Sequence, residues 1–279
     1  MNPFRSIPVG MYHHVNQHSN DFITVRVDHF ESQMRMLAER GIQTLSATEF
    51  RECLSGTRSI PKRAVLLTFD DAWLDLYSHA FPILKHYGHR FTVFVVSEWT
   101  NRASEKTLNQ VPSIFPTHGI AEQWVDGNRI HEVICGWSHL EEMMASGLCS
   151  IENHTATHQT HRYLKDRAQL TDEIGHCKEA LQKHLGIDSR QLCWPRGRYS
   201  KLGLEVASSL GIEITYLVRR GVNLPIGSSL PIKRFTVDDV DGATMEEWIR
   251  LFSRPVMGYL YSRIKPDRLL QKWNKWRSK

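Results

Sequence analysis

The chain lacks the cysteine pattern of a disulfide scaffold or a thiolate metal domain. Its five cysteines, Cys53, Cys135, Cys149, Cys177 and Cys193, are odd in number and show no CxxC spacing. That argues against both and fits a reducing compartment. No apolar run reaches the ~20 residues of a membrane span. Residues 1–10 hold one Arg and no apolar leader core, so no secretory signal is evident and a cytoplasmic protein is expected. Excess charge is scarce as well. A net +5 over 279 residues, with a pI near 9.0, is mildly basic, short of the density of a dedicated nucleic-acid binder. No nucleic-acid partner is expected, whereas acidic glycans and anionic membrane surfaces stay within reach of such a charge. Internal repeats and low-complexity segments are absent, and no histidine follows His184.

What is present is an alternation of buried strands and amphipathic helices. Val9–Val15 reads as a first strand, and a helix follows from Asp28, a candidate N-cap, to Gly41. Ile42–Leu45 reads as a strand, and Ser46 with Glu49 forms a capping-box pattern. Ala64–Phe69 and Phe91–Val96 are continuous apolar runs of buried-strand type, separated by a helix over Asp75–Tyr87. Residues 97–136 break the pattern with Pro112, Pro116, Gly119 and Gly127 and read as an inserted loop region. Order resumes with a helix at Ser138–Gly147, a strand at Leu148–Ile151, a helix at Leu164–Leu185 and a strand at Gln191–Trp194. A helix at Lys201–Leu210 and strands at Thr215–Val218 and Ile232–Val237 complete the series. The fold class is α/β with a parallel sheet and helices outside. The expected organisation is one catalytic domain over residues 1–250 and a basic tail over 251–279.

Two clusters carry chemistry. Asp70 and Asp71 follow the buried strand Ala64–Phe69 directly. Carboxylates at the C-terminal end of a barrel strand mark an active-site face, although a capped turn at a helix start also favours Asp. His154 and His158 are four apart after Leu148–Ile151. On a helical turn that spacing puts both imidazoles on one face, where they can share a metal; a polar surface turn gives the same spacing. His14 and His18 show it too and receive no site. Taken together, two imidazoles and one carboxylate make a site with open positions for a metal that activates water, leaving the second carboxylate as base.

The run Leu67-Thr68-Phe69-Asp70-Asp71-Ala72, with Ala80-Phe81-Pro82-Ile83-Leu84 and Thr92-Val93-Phe94-Val95, resembles the first motif region of the polysaccharide deacetylase (NodB-homology) family, carbohydrate esterase family 4. Residues Ile151-Glu152-Asn153-His154-Thr155-Ala156-Thr157-His158 resemble its second motif. Cys193-Trp194-Pro195-Arg196-Gly197 resembles its third, and Tyr12-His13 the Tyr-His of its first strand. The resemblance covers roughly Val9 to Val237. It implies a distorted (β/α) barrel of roughly seven parallel strands. By carry-over, Asp71, His154 and His158 bind one divalent ion, Zn²⁺ by default, and Asp70 is the general base. The backbone N–H of Arg196 takes the oxyanion position, and Trp194, Tyr199 and Tyr12 are expected to contact substrate.

The departures are specific. Many members begin the third motif with Arg; here that position is Cys193, and the pattern is closer to the Trp-Pro-Tyr-Gly variant of biofilm poly-N-acetylglucosamine deacetylases, with Arg196 in place of Tyr. Arg234 either replaces the missing Arg by holding Asp70 or lies at the surface. The usual C-terminal Leu-x-His acid is absent, so His13 is the candidate acid, or else a substrate contact. Asp238, Asp239 and Asp241 read as a solvated loop. Trp99, Phe115 and Trp124 either stack on sugar rings or form a satellite core.

The expected activity is hydrolytic N-deacetylation of an N-acetylhexosamine unit in a glycan or glycolipid, with a lipopolysaccharide-core or lipid-linked precursor as one form of substrate. A small non-sugar amide, or glycan binding without turnover, are the rival readings. Lys265–Lys279 holds six Lys or Arg and one Asp, and Leu269, Leu270, Trp273 and Trp276 share one helical face. Such a helix either lies on an anionic membrane, here at the cytoplasmic face, or packs on the barrel.

Overall fold

The computed structural model describes residues 5–106, 110–160, 164, 166–224 and 231–264. Its strands are β1 (Val9–Tyr12), β2 (His14–Asn16), β3 (Thr24–Arg26), β4 (Gln43–Thr44), β5 (Ala64–Asp70), β6 (Phe91–Val95), β7 (Cys149–Asn153), β8 (Gln191–Cys193), β9 (Ile214–Tyr216) and β10 (Phe235–Thr236). Its α-helices are α1 (Val27–Glu39), α2 (Ala47–Ser55), α3 (Phe81–Tyr87), α4 (Ser97–Ser104), α5 (His118–Asp126), α6 (Trp137–Ala145), α7 (Arg167–Leu185), α8 (Lys201–Ser209), α9 (Gly242–Phe252) and α10 (Pro255–Ile264). Seven strands run parallel in the order β10-β1-β5-β6-β7-β8-β9 and curl into a half-barrel, with β4 paired to the start of β5. β2 and β3 form a separate two-stranded ribbon.

Strand alternation sorts side chains into two layers. On β5, Val65, Leu67 and Phe69 join Phe91, Val93 and Val95 of β6 in the large core beneath the helices. Ala64 and Leu66 face the barrel interior with Val9, Phe94, Cys193 and Tyr216. Thr68 and Asp70 continue the interior parity, which places a carboxylate inside the barrel at the strand's end. The same rule corrects the reading of Tyr12. It shares the outward parity, stacks on Phe69 at 5.0 Å, and its hydroxyl donates to Gln33 Oε1 of α1 at 2.8 Å. Tyr12 is a core residue; His13, one step on, turns inward.

Several local expectations shift. Ser46 caps α2 in a full capping box. Helix α1 instead begins after Arg26 with no side-chain cap, and Asp28 sits in its first turn, where a carboxylate complements the helix dipole. The helix expected from Asp75 opens with a π-turn at Leu76–Ala80 before α3. Residues 97–106 and 110–136 are more ordered than the Pro and Gly content of this stretch suggests. They hold α4, α5 and a 3₁₀ turn at Ile130–Glu132, packed through Ala103, Ala121, Val125 and Ile134 onto Trp73. The last strands are shorter than expected: β9 covers Ile214–Tyr216 and β10 only Phe235–Thr236. The acidic trio is built in: Asp239 accepts from Arg26 N and lies 2.7 Å from His29 Nδ1, Asp241 caps α9, and Asp238 faces Arg220 at 3.5 Å.

Helix α9 runs across residue 250, where the sequence pattern placed the start of a tail, and buries Met245, Ile249 and Phe252. Residues 265–279, with their expected amphipathic helix, lie outside the described residues. α9 meets α1 so closely that a Cβ on Gly242 would sit 2.4 Å from Ser32 O. Backbone cannot yield as a flexible side chain does. Gly242→Ala is therefore expected to destabilise by about 1–3 kcal/mol through overpacking; a urea midpoint equal to wild type, at equal slope, would contradict this packing.

Candidate active site

The site forms where β1, β5, β7 and β8 end. Arg234 reaches it from the segment before β10 and makes a two-armed contact with Asp70: Nη1 donates to Oδ1 and Nη2 to Oδ2, each at 2.6 Å. The guanidinium is itself fixed. Nε donates to Leu217 O at 3.0 Å, Nη1 to Thr68 Oγ1 at 3.1 Å, and Nη2 faces Cys193 Sγ at 3.0 Å. Both partners are almost wholly buried, at 1% and 2% exposure, so neither charge has water to fall back on. Burial alone would raise the Asp70 carboxyl; the Arg234 guanidinium outweighs it and holds the group below its ordinary value. Of the two placements open to Arg234, the buried one is observed.

Asp71 turns the other way. Its φ of 70° lies in the left-handed region, as does that of Ala72. Trp73 Nε1 donates to Asp71 Oδ2 at 3.1 Å, leaving Oδ1 buried with no hydrogen-bond donor among the described residues. That oxygen lies 3.3 Å from His154 Nε2 and 3.5 Å from His158 Nε2. Ligand atoms of the three residues all fall within 4.8 Å of one another. The Nδ1–H of His154 donates to Cys193 O at 2.8 Å, so Nε2 keeps its lone pair for the shared centre. Burial opposes the Asp71 charge, but the imidazoles of His158 and His154 outweigh it and hold the carboxyl well below its ordinary value. Burial pushes His158 down to about 4 and lowers His13, whereas at His154 burial is outweighed by Cys193 and Asp71, which raise it well above its ordinary value. An orphaned carboxylate oxygen facing two imidazole nitrogens suits a divalent ion. Asp70, His154 and Cys193 form a second compact group. It suits a metal less well, because Arg234 occupies both Asp70 oxygens and burial raises the Cys193 thiol.

The histidines do not sit on a helix. They lie in the loop after β7, where Thr155 and His158 both have positive φ. Asn153 Oδ1 accepts from Thr155 N at 2.7 Å, and Glu173 of α7 accepts from Thr157 N at 2.7 Å. These bonds fold the loop so that the two rings come 5.0 Å apart. Arg196 is likewise left-handed, with φ 56°. Such strained residues at one strand-end face are the usual company of an active site.

The pocket is lined by His13, Asp70, Asp71, His154, His158 and Arg196 together with Ile23, Trp73, Trp99, His118, Glu122 and Val218. His13 Nε2 lies 3.8 Å from Asp70 Oδ2. Of the expected substrate contacts, neither Trp194 nor Tyr199 lines it. Trp194 is buried among Leu170, Leu192 and Val206, and Tyr199 stacks on it at 6.4 Å. The interior parity of Cys193 sends its neighbour Trp194 outward. Trp99 does face the pocket, 5.1 Å from His158; Phe115 and Trp124 pack elsewhere. Trp73, His118 and Glu122 escaped sequence reasoning. Only the two-residue step from Asp71 to Trp73 carried a signal.

A parallel half-barrel with carboxylates and imidazoles gathered at the strand ends defines an α/β-barrel hydrolase architecture. The chain belongs to the polysaccharide deacetylase family, whose model matches residues 57–215, more than half of its length. It is 27% identical over 208 residues to YxkH of Bacillus subtilis (strain 168), a protein that bears the polysaccharide deacetylase name, covering 75% of this chain and 63% of that one. It is 23% identical over 239 residues to the poly-beta-1,6-N-acetyl-D-glucosamine N-deacetylase of Escherichia coli (strain K12), covering 76% and 34%. The chain thus spans less than two thirds of these relatives. In fold it is similar to Streptococcus pyogenes deacetylase PplD in complex with acetate, at a TM-score of 0.72 and 23% identity over 91% of this chain and 100% of that one. It is also similar to IcaB from Ammonifex degensii, at a TM-score of 0.67 and 23% identity over 88% and 97%.

The Arg234–Asp70 pair makes a stability prediction. Arg234→Met leaves a buried carboxylate uncompensated and is expected to cost about 3–5 kcal/mol at pH 7. In the wild type the depressed Asp70 carboxyl contributes stability above the unfolded value of about 4 that is lost as pH falls through the folded one. In the variant Asp70 rises and protonates sooner, so the gap between the proteins narrows towards pH 4. Urea unfolding at both pH values checks this; a gap that is small at pH 7, or constant with pH, contradicts it.

Proposed function

We propose that the chain is a metal-dependent hydrolase that removes the acetyl group from N-acetylglucosamine units of a β-1,6-linked glycan. The observation that carries this reading is the pairing of two differently wired carboxylates in one pocket: Asp70 clamped by Arg234, and Asp71 facing two imidazoles. The names of relatives supply the substrate class. In this reading Asp71, His154 and His158 hold a divalent ion, with Zn²⁺ the default for two imidazoles and a carboxylate. Such an ion, when bound, lowers the pKa of water towards about 7 and polarises the acetamide carbonyl.

The chain's own residues then move the protons. Asp70, kept ionised and aimed by Arg234, accepts the proton as water attacks the carbonyl carbon. The backbone N–H of Arg196 donates to the carbonyl oxygen as its charge grows. Neutral His13 takes that proton from Asp70, 3.8 Å away, and passes it to the leaving amine as the carbon–nitrogen bond breaks. Products are acetate and the free amine. Trp99 offers an aromatic face to the sugar ring.

Asp70→Asn is expected to retain metal, measured by elemental analysis, and to lose acetate release by roughly 10²–10⁴-fold, the usual worth of a general base. Near-normal turnover at full metal content would refute the assignment. His154→Ala is expected to lose the metal itself.

A peripheral contact with an anionic membrane, at its cytoplasmic face, belongs to the same reading, with a lipid-linked saccharide as its substrate form. What supports it is the basic sequence of residues 265–279 and the exposure of Val256, Met257 and Leu260 on α10. Co-sedimentation with anionic liposomes should fall when the chain is ended at Ile264; equal, negligible binding by both forms would remove this part.

A further inference from the structure

Beside the proposed metal site, a buried hydrogen-bonded row leads into the pocket. Asp75 Oδ2 lies 2.8 Å from His14 Nδ1 and also accepts from Asn16 Nδ2 at 2.8 Å. His14 Nε2 lies 3.2 Å from His118 Nδ1. His118 Nε2, at the end of the row, lies 3.6 Å from Glu122 Oε1 one helical turn on. Asp75, His14 and His118 are all buried, at 1%, 2% and 4% exposure, and His118 and Glu122 line the pocket. Trp73, at 5.8 Å, and Phe22, at 5.4 Å, hold the His118 ring in place.

The row has a direction. The Asp75 carboxylate can only accept, so His14 carries its proton on Nδ1 and leaves Nε2 bare. That bare nitrogen takes the Nδ1–H of His118, so His118 Nε2 is bare in turn. It faces a carboxylate that has no hydrogen-bond donor among the described residues. Burial pushes His118 down to about 2, which keeps its ring neutral, and raises Glu122, which makes it the stronger acceptor. His118 Nε2 and the Glu122 carboxylate, whose side chain is 31% exposed, therefore stand side by side as two acceptors on the pocket wall. Such acceptors bond to water in the open pocket and to a ligand's hydroxyls when these displace it. The pair belongs to neither of the three-ligand groups that suit a metal. What fits is a neutral donor presenting two neighbouring O–H groups.

We propose that His118 and Glu122 form an acceptor pair that holds neighbouring ring hydroxyls of the glycan unit entering the pocket, with His14 and Asp75 as positioning residues that fix which His118 nitrogen is bare. This inference rests on the glycan-deacetylase reading. The pair selects for ring hydroxyls rather than for the acetamide, so it governs binding more than chemistry. A substrate lacking those hydroxyls displaces the water from both acceptors without replacing its hydrogen bonds and loses affinity.

The test has two arms. Nitrogen-15 NMR of the metal-loaded protein should show His118 with a bare Nε2, and His14→Phe should scramble that signature. Calorimetry in an Asp70→Asn background should show the β-1,6-linked tetramer of N-acetylglucosamine binding about ten- to a hundred-fold more weakly once Glu122→Gln is added, the worth of a hydrogen bond to a charged group. Gln supplies an N–H that satisfies His118 internally. A proton on His118 Nε2 in the wild type, a Kd within twofold on adding Glu122→Gln, or no binding by the parent overturns the proposal. Acetate release is read separately. Its absence with both signatures intact removes the deacetylase reading and leaves the subsite; its presence with an unchanged Kd removes the subsite alone.

Discussion

The buried contact between Arg234 and Asp70 organises the rest of the structure. A carboxylate at the end of β5 points into the barrel by strand parity, and in that dry interior it survives as an anion only beside a cation. Arg234 meets the need by entering the barrel ahead of β10, and its remaining N–H groups tie Leu217, Thr68 and Cys193 to the same point. The charge pair thereby ties the segment before β10 to β5, and the bond from Nε to Leu217 O links it to the opposite edge beside β9. The carboxylate that would do the chemistry is also the one that fixes the last strands.

Asp71 shows how one residue step separates two roles. Asp70 is in the strand and inherits its direction. Asp71 lies just beyond it in a left-handed conformation and aims at the histidine loop. Adjacent carboxylates would repel if both faced one point. Here one is neutralised by a guanidinium and the other faces two imidazoles and Trp73. The environments that separate them are the physical basis for assigning a base and a metal ligand, and for the pKa directions each one shows.

The region between β6 and β7 supplies the part of the pocket that the barrel does not. Its helices α4 and α5 bring Trp99, His118 and Glu122 over the strand ends, and Trp73 links that satellite core to Asp71. In the proposed reading substrate recognition rests on a segment whose composition looks irregular, while the reacting groups sit at the strand ends and in the short loops that follow them. Under that reading the strand ends would fix the chemistry and the covering layer would choose the glycan.

By itself the sequence determined the α/β class, the parallel sheet and the candidates Asp70, Asp71, His154, His158, His13 and Arg234. Buried strands announce themselves as apolar runs, and charges placed at their ends stand out against them. Tertiary structure alone decided that Tyr12 and Trp194 are core residues, because a single step of strand parity moves a side chain to the opposite face. It decided that the histidine pair rides on a loop held by Asn153 and Glu173, since i,i+4 spacing reads the same for a helix and for a folded loop. It also joined Asp75, His14, His118 and Glu122, which span more than a hundred positions in the chain. No local pattern encodes such a row, since it exists only once α5 has packed across the ends of the strands.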